Sequence, residues 1–213
     1  MRLIIGVDEV GRGPLAGPVV AAAVALPADY ANEKIKDSKK VTPRNREALC
    51  SIIKEAAAAW SIVAVGHHRI GTLNIRNASL LAMRLATERV LRACPDAEII
   101  LVDGNALIPF PSSAQGQLPP QRAVIKGDSL HVQISAASII AKVWRDEQME
   151  ILGRKYPGYG LENHAGYPTP SHREAIQTLG PSRIHRQTFS GVREYLKSTA
   201  SGSDRAFGRA SGY

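Results

Sequence analysis

The chain has 213 residues and carries 27 Lys and Arg against 19 Asp and Glu, a formal charge of +8 at neutral pH. That length accommodates one large domain with a sizeable core, and the excess of cations suits a polyanionic partner, nucleic acid first among them. Aromatic residues make up 5% of the chain, too few for broad base-stacking platforms, so backbone and shape contacts are the expected mode of binding. Cys50 and Cys94 form no Cys-x-x-Cys pair, no apolar stretch approaches the ~18 residues of a membrane span, and no signal-like apolar region follows Arg2. The expectation is a cytoplasmic protein, monomeric by default and independent of membranes.

Leu3-Ile4-Ile5-Gly6-Val7 and Val19 to Leu26 are short apolar runs of the kind that make buried strands, close enough in sequence to pair antiparallel. Thr42-Pro43 is an N-cap followed by a first-turn proline, and Leu49, Ile52, Ile53, Ala56 and Ala57 continue at helical spacing, predicting a helix to about Ala59. Ser61 to Val65 is a short β-branched run, and His67 and His68 fall in strand or loop. Asn74 to Ala93 reads as a helix with Ile75, Ala78, Leu81, Leu85, Val90 and Leu91 on one side, ended by Pro95.

Glu98 to Gly104 is a compact strand ending in Asp103 and a glycine, and Ala123 to Asp128 repeats that design. Between them, 105–121 is rich in Pro, Ser and Gln and reads as an exposed loop. Ser135 to Tyr156 is predicted helical, opening on the small residues Ser135-Ala136-Ala137-Ser138, and Ser171 to Leu179 is a shorter helix closed by Gly180-Pro181. Residues 198–213 have no periodicity and are expected to be disordered. The order of elements predicts an α/β fold with a mixed sheet, in one domain over 1–197.

The informative stretch is Asp8-Glu9-Val10-Gly11-Arg12-Gly13-Pro14, two adjacent carboxylates beside a Gly-Arg-Gly turn at the end of a core strand. Carboxylates are expensive to desolvate unless they are paired or hold a cation, and a hard divalent ion supplies one. Successive strand residues face opposite ways, so Asp8 and Glu9 share a site only if the strand bulges or ends there. An isolated acid at a strand end is ordinarily a cap or turn former. Asp8, Glu9, Asp103 and Asp128, however, all fall at or just beyond strand ends, where α/β sheets gather site residues. Four carboxylates in one cleft can bind two cations, and two metals ~3.5–4 Å apart stabilise the attacking and leaving oxygens of a displacement at phosphorus.

The segments Asp8 to Gly17, Asp37-Ser38-Lys39-Lys40, Val102-Asp103-Gly104, Lys126-Gly127-Asp128, Ser135 to Asp146 and His164 to Thr169, in that order, closely resemble bacterial ribonuclease HII over most of Leu3 to about Leu196. The resemblance implies a ribonuclease H-like fold with a C-terminal helical extension. It implies hydrolysis of RNA paired with DNA and incision 5′ to ribonucleotides embedded in duplex DNA, leaving 3′-hydroxyl and 5′-phosphate ends. It also implies Asp8, Glu9, Asp103 and Asp128 as the catalytic ligands of Mg2+ or Mn2+. Gly11, Arg12 and Gly13 match the family's loop that recognises the 2′ hydroxyl, and Tyr167 its tyrosine at the ribonucleotide-to-deoxyribonucleotide junction. Lys39, Lys40, Lys142 and Arg145 would face phosphates, and Ser138 would add a neutral phosphate contact near its helix start.

The chain departs from the family in carrying Ala165 where a lysine is common, and the 105–121 loop is longer than usual. The related ribonuclease HIII type usually has an additional N-terminal domain, and a first catalytic strand almost at residue 1 disfavours it. A nucleic-acid-binding module with merely structural carboxylates would still bind hybrid after chelation and cleave nothing. A dinucleotide-binding domain is disfavoured because the run after Gly17 is strand-like where that fingerprint needs a helix.

Overall fold

The structure, a computed structural model, describes residues 2–36, 42–112 and 118–198. The segment holding Lys39 and Lys40, the middle of the 105–121 loop and all but the first residue of the 198–213 tail lie outside the described residues.

Five strands form one mixed sheet in the order β3-β2-β1-β4-β5. β1 (Leu3–Val10) and β2 (Val19–Pro27) pair antiparallel as expected, β2 pairs antiparallel with β3 (Ala59–Val65), and β4 (Ile99–Asp103) and β5 (Gln121–Val124) add parallel to β1. β2 is apolar throughout because helices cover both of its faces. Its even residues Val20, Ala22, Val24 and Leu26 pack with one helical layer, and the odd residues Val19, Ala21, Ala23 and Ala25 with the other.

One layer is α4 (Ile75–Ala93), capped by Asn74, whose side chain accepts from the Asn77 amide. Its most buried residues are Ala78, Ala82, Ala86, Thr87 and Val90, while Leu81 and Leu85 lie at the margin, so the buried stripe is rotated from the one the leucines suggest. The other layer is α6 (Val132–Lys155) with α2 (Pro43–Ala56). α6 presses so closely on β1 that a Cβ on Gly6 would lie 2.1 Å from the Gln133 carbonyl carbon. Only glycine fits there.

Several boundaries differ from the sequence reading. α2 ends at Ala56 because 59–65 join the sheet edge as β3, a pairing that overrides helix propensity. His67 and His68 open α3 (His67–Leu73) instead of a strand or loop, since Gly66 provides an extended N-cap. β5 stops at Val124. Lys126, in the left-handed region at φ 56°, turns the chain into the short α5 (Gly127–Leu130), which carries Asp128. The described part of 105–121 is not wholly exposed: Ile108 is buried in the core and its backbone exchanges two hydrogen bonds with Gln121.

A third apolar cluster lies beyond the sheet. There Leu15 and Ala16 pack with Met149, Tyr159, Leu161, Ile176, Ile184 and Val192. It roots α7 (Leu161–His164), α8 (Pro170–Leu179, capped by Thr169) and the segment after them against the loop that leaves β1. Two unpredicted single turns, α1 (Glu33–Lys36) and α7, complete the described elements.

Candidate active site

β1 delivers Asp8 and Glu9 to its C-terminal end with no bulge. The ladder to β2 runs unbroken from Leu3↔Pro27 to Val10↔Val20, because the flexible glycines begin only at Gly11. The two acids therefore point to opposite faces. Asp8 faces α6, where the Ser138 hydroxyl bonds to it, and Glu9 faces α4. Asp103 ends β4, and the Val7↔Val102 pairing puts it beside Asp8. As the last strand residue it also borders the cleft on Glu9's side, a hollow of about 130 Å³ lined by Glu9, Arg12, Arg76, Ser79, Met83 and Asp103. Asp103 Oδ1 accepts the Gly127 amide at 2.8 Å, which ties the start of α5 to β4 and brings Asp128 one residue further along.

Asp8 is 6% exposed. Burial pushes its carboxyl well above the usual carboxylate range, the Ser138 bond opposes this, and the charges of Asp103 and Glu9 push it further up. Burial likewise raises Glu9, which Arg12 partly offsets by donating to Oε1 at 3.0 Å, and Asp103 adds repulsion. Among the described residues no three His, Cys, Asp or Glu side chains already stand at metal-holding spacing. Three mutually repelling carboxylates, one of them buried without a Lys or Arg ion pair among the described residues, are nevertheless hard oxygen donors short of a cation.

The Gly-Arg-Gly turn is held from beneath by two buried arginines. Arg186 donates to the carbonyls of Gly11 at 2.7 Å, Arg12 at 2.8 Å and Gly17 at 3.0 Å, and its guanidinium lies 5.0 Å from the Phe189 ring centre. Arg145 donates to the carbonyls of Pro18 and Ala165, both at 3.1 Å. Gly11 adopts φ 87°, and a Cβ there would lie 2.1 Å from Arg145 Nε. Above the turn, the Tyr167 ring lies 3.5 Å from where a Gly13 Cβ would stand. Tyr167 is fixed in turn through its carbonyl, which bonds His172 Nδ1 at 2.9 Å. His172 Nε2 meets His185 Nε2 at 3.1 Å, and His185 Nδ1 accepts the Ser182 amide at 3.0 Å. These bonds imply neutral tautomers, with His185 donating to His172 and His172 to Tyr167. Burial lowers both histidines, His185 to about 4.

The family model for Ribonuclease HII matches residues 5–192. The chain belongs to the ribonuclease HII family. It is 47% identical over 207 residues to the ribonuclease HII of Hyphomonas neptunium, covering 92% of this chain and 97% of that one. Among solved structures it is similar to the ribonuclease H2 from Pyrococcus horikoshii, with a TM-score of 0.71, 28% identity, and 93% and 99% of the two chains covered. It also shares its fold with Bst-RNase HIII in complex with Mn2+, at TM-score 0.68 and 19% identity over 94% and 71% of the two chains. The mixed sheet flanked by helices is thus the ribonuclease H-like fold, and the protein is a nuclease.

The residues read from sequence fall into three groups. Asp8, Glu9 and Asp103 come together at the strand ends, with Asp128 next to the residue that anchors Asp103. Gly11, Arg12, Gly13 and Tyr167 form one surface beside them. Lys142 stands apart, bonded to Asp146 at 2.6 Å, with Arg46 3.9 Å from the same carboxylate. Two expectations need correction. Arg145 is fully buried and cannot face a phosphate, because its guanidinium is committed to the loop beneath Gly11. α6 begins at Val132, so Ser138 is in the second turn, away from the helix start, and its hydroxyl is turned to Asp8.

Sequence reading missed Arg186, His172 and His185. Their only signal is that Arg and His are rarely wholly buried, which a sequence does not display. Ala165 lacks the family's usual lysine side chain, but its backbone, at φ 48°, still presents the carbonyl that Arg145 needs.

Proposed function

We propose that the chain is an endonuclease that hydrolyses RNA paired with DNA and incises 5′ to single ribonucleotides in duplex DNA, leaving 3′-hydroxyl and 5′-phosphate ends. The observation that carries this reading is the juxtaposition of buried Asp8 and half-buried Asp103 and Glu9 with the Gly11-Arg12-Gly13 turn and Tyr167 on the same end of the sheet. Asp8, Glu9, Asp103 and Asp128 would hold Mg2+ or Mn2+. When bound, a pair of such ions activates water and stabilises the departing 3′ oxygen.

The protein's own residues do the rest. The Ser138 hydroxyl orients Asp8, and the Gly127 amide orients Asp103. Ser138 therefore acts on the catalytic set from behind, in place of the phosphate contact. The turn reads the ribose, because telling RNA from DNA requires a hydrogen bond to the 2′ hydroxyl and backbone groups can approach closely at glycines. Tyr167 offers a flat ring beside Gly13 to the sugar that follows. Arg12, Lys39 and Lys142 supply sequence-independent attraction for the backbone. A single chain in the cytoplasm suffices for this work.

The test is a DNA duplex with one ribonucleotide, incubated with Mg2+ or Mn2+ and either wild type or Asp103→Asn. Wild type should cut once, at the 5′ side of the ribonucleotide, and Asp103→Asn should not. Equal cutting by both removes Asp103 from the mechanism, and no cutting by wild type with either metal removes the reading.

A further inference from the structure

The carbonyls of Gly11 and Arg12 both point down onto Arg186, and the peptide bonds after them are trans, as are all among the described residues. In a trans peptide the N–H of the next residue points opposite to the C=O. The amides of Arg12 and Gly13 are therefore turned away from the protein, toward the surface where Tyr167 stands. Neither donates to a protein acceptor among the described residues. Two consecutive outward amides make a small concavity that favours an electron-rich oxygen. Arg186 also holds the Gly17 carbonyl, so one guanidinium, from a residue 175 positions away from Gly11, fixes both ends of the turn.

The burial of Arg186 serves these main-chain contacts. Arg186 is fully enclosed, no carboxylate pairs with it among the described residues, and the neighbouring Arg145 is also cationic. An apolar residue would fill the space with no charge to bury. Its five donors in a rigid fork are matched instead to main-chain carbonyls. Arg145 Nη2, buried and without a partner, leaves further positive charge beneath the same turn.

We infer that Arg186 is a specificity-determining positioning residue: by drawing in the carbonyls of Gly11 and Arg12 it aims the Arg12 and Gly13 amides at the sugar 2′ oxygen. This rests on the proposed reading of ribonucleotides by the turn, and it assigns the discrimination to a residue that never touches substrate. A lysine at this position keeps the charge and loses the fork, so it cannot hold three carbonyls in one plane.

The experiment measures binding by fluorescence anisotropy, in Ca2+, of two labelled duplexes that differ only in one 2′ hydroxyl. Wild type should prefer the ribonucleotide duplex. Arg186→Lys, shown to be folded by circular dichroism, should bind the all-deoxy duplex as wild type does while its preference collapses to within about two-fold of unity, the loss of a hydrogen bond's worth of affinity. A merely structural role would lower the active fraction for both duplexes and leave their ratio unchanged, and a retained ratio overturns the inference. If Arg186→Lys does not fold, Phe189→Leu, which removes the ring against the guanidinium, is read the same way. A reduced ratio supports the inference and an unchanged one overturns it. A wild type with no preference at all refutes the ribose-reading turn itself, an outcome distinct from failure of the Arg186 variants.

Discussion

Two neighbouring regions of this molecule bury charge in opposite ways. At the strand ends, Asp8 is enclosed beside Asp103 and Glu9 with no Lys or Arg ion pair to it among the described residues. Beneath the turn that follows, Arg145 and Arg186 are enclosed with no carboxylate partner among the described residues. Joining the two sets would neutralise both, yet they stay apart. Except at Arg145 Nη2, the arginines are satisfied from within, by carbonyls the fold already supplies, so their charge organises backbone. The acids are held by single bonds from Arg12, Ser138 and the Gly127 amide that leave most of their oxygen lone pairs open, so their charge is available to a cation from outside. One region is finished on folding and the other is completed by what it binds.

The sharpest way to break that contrast is Asp8→Asn. Activity with Mg2+ should fall more than about 100-fold, ~3 kcal/mol of barrier, while the metal-free protein should become more stable at pH 7.5. The sign follows from the raised carboxyl. Between the unfolded value of 3.8 and the higher folded value the native state binds more protons, so the carboxylate destabilises the native state above that window and not below it. Urea unfolding in EDTA should therefore show an advantage for Asp8→Asn that shrinks as pH falls toward 4. An advantage that does not change with pH, or none, means Asp8 has a hidden partner and the contrast is false.

On the arginine side the matching prediction is Gly11→Ala. A Cβ at φ 87° costs ~1–2 kcal/mol on its own, and the collision with Arg145 adds ~1–3 kcal/mol of overpacking. A loss of about 2–5 kcal/mol in chemical unfolding is expected. A loss under ~1 kcal/mol would show that the turn is not seated on the arginines.

The sequence displayed the acid region better than the arginine region, for a physical reason. Carboxylates at strand ends announce themselves because the apolar run stops where they start, and β1 and β4 both do this. The sheet and its long helices were legible through the same periodicity, and the start of α2 through its Thr42 cap and first-turn proline. Opposite-facing Asp8 and Glu9 were not, since the outcome depended on where the β1–β2 ladder ended. The buried support was hidden altogether. Arg145 looks like any charge on an amphipathic helix, and Arg186 and His185 lie in a segment with no periodicity to betray that it packs under residue 11.

That support should carry an acid-labile component that the strand ends lack. His185 is held neutral, lowered to about 4, while an unfolded histidine titrates near 6.5. The unfolded chain therefore binds the extra proton, and stability is fully present above 6.5 and lost as pH falls toward 4, by at most about 3 kcal/mol. His172, packed against His164 and Arg173, moves in the same direction. The stability difference between pH 7 and pH 5 should shrink in His185→Gln. An undiminished difference would place the acid sensitivity elsewhere.

The smallest expected effect belongs to Tyr167, where the two regions meet. Its carbonyl is anchored by His172 and the residue is 41% exposed, so truncation removes substrate contact and little else. Tyr167→Ala should leave the melting temperature within a few degrees of wild type. Cleavage at a single ribonucleotide should slow about ten-fold, ~1.4 kcal/mol, and cleavage of a long RNA-DNA hybrid should slow less. The asymmetry arises because only the first substrate always places a deoxyribose after the ribonucleotide, whereas a hybrid offers many registers. Equal slowing on both substrates would reduce Tyr167 to general packing over Gly13, and ribose recognition would then rest on the turn alone.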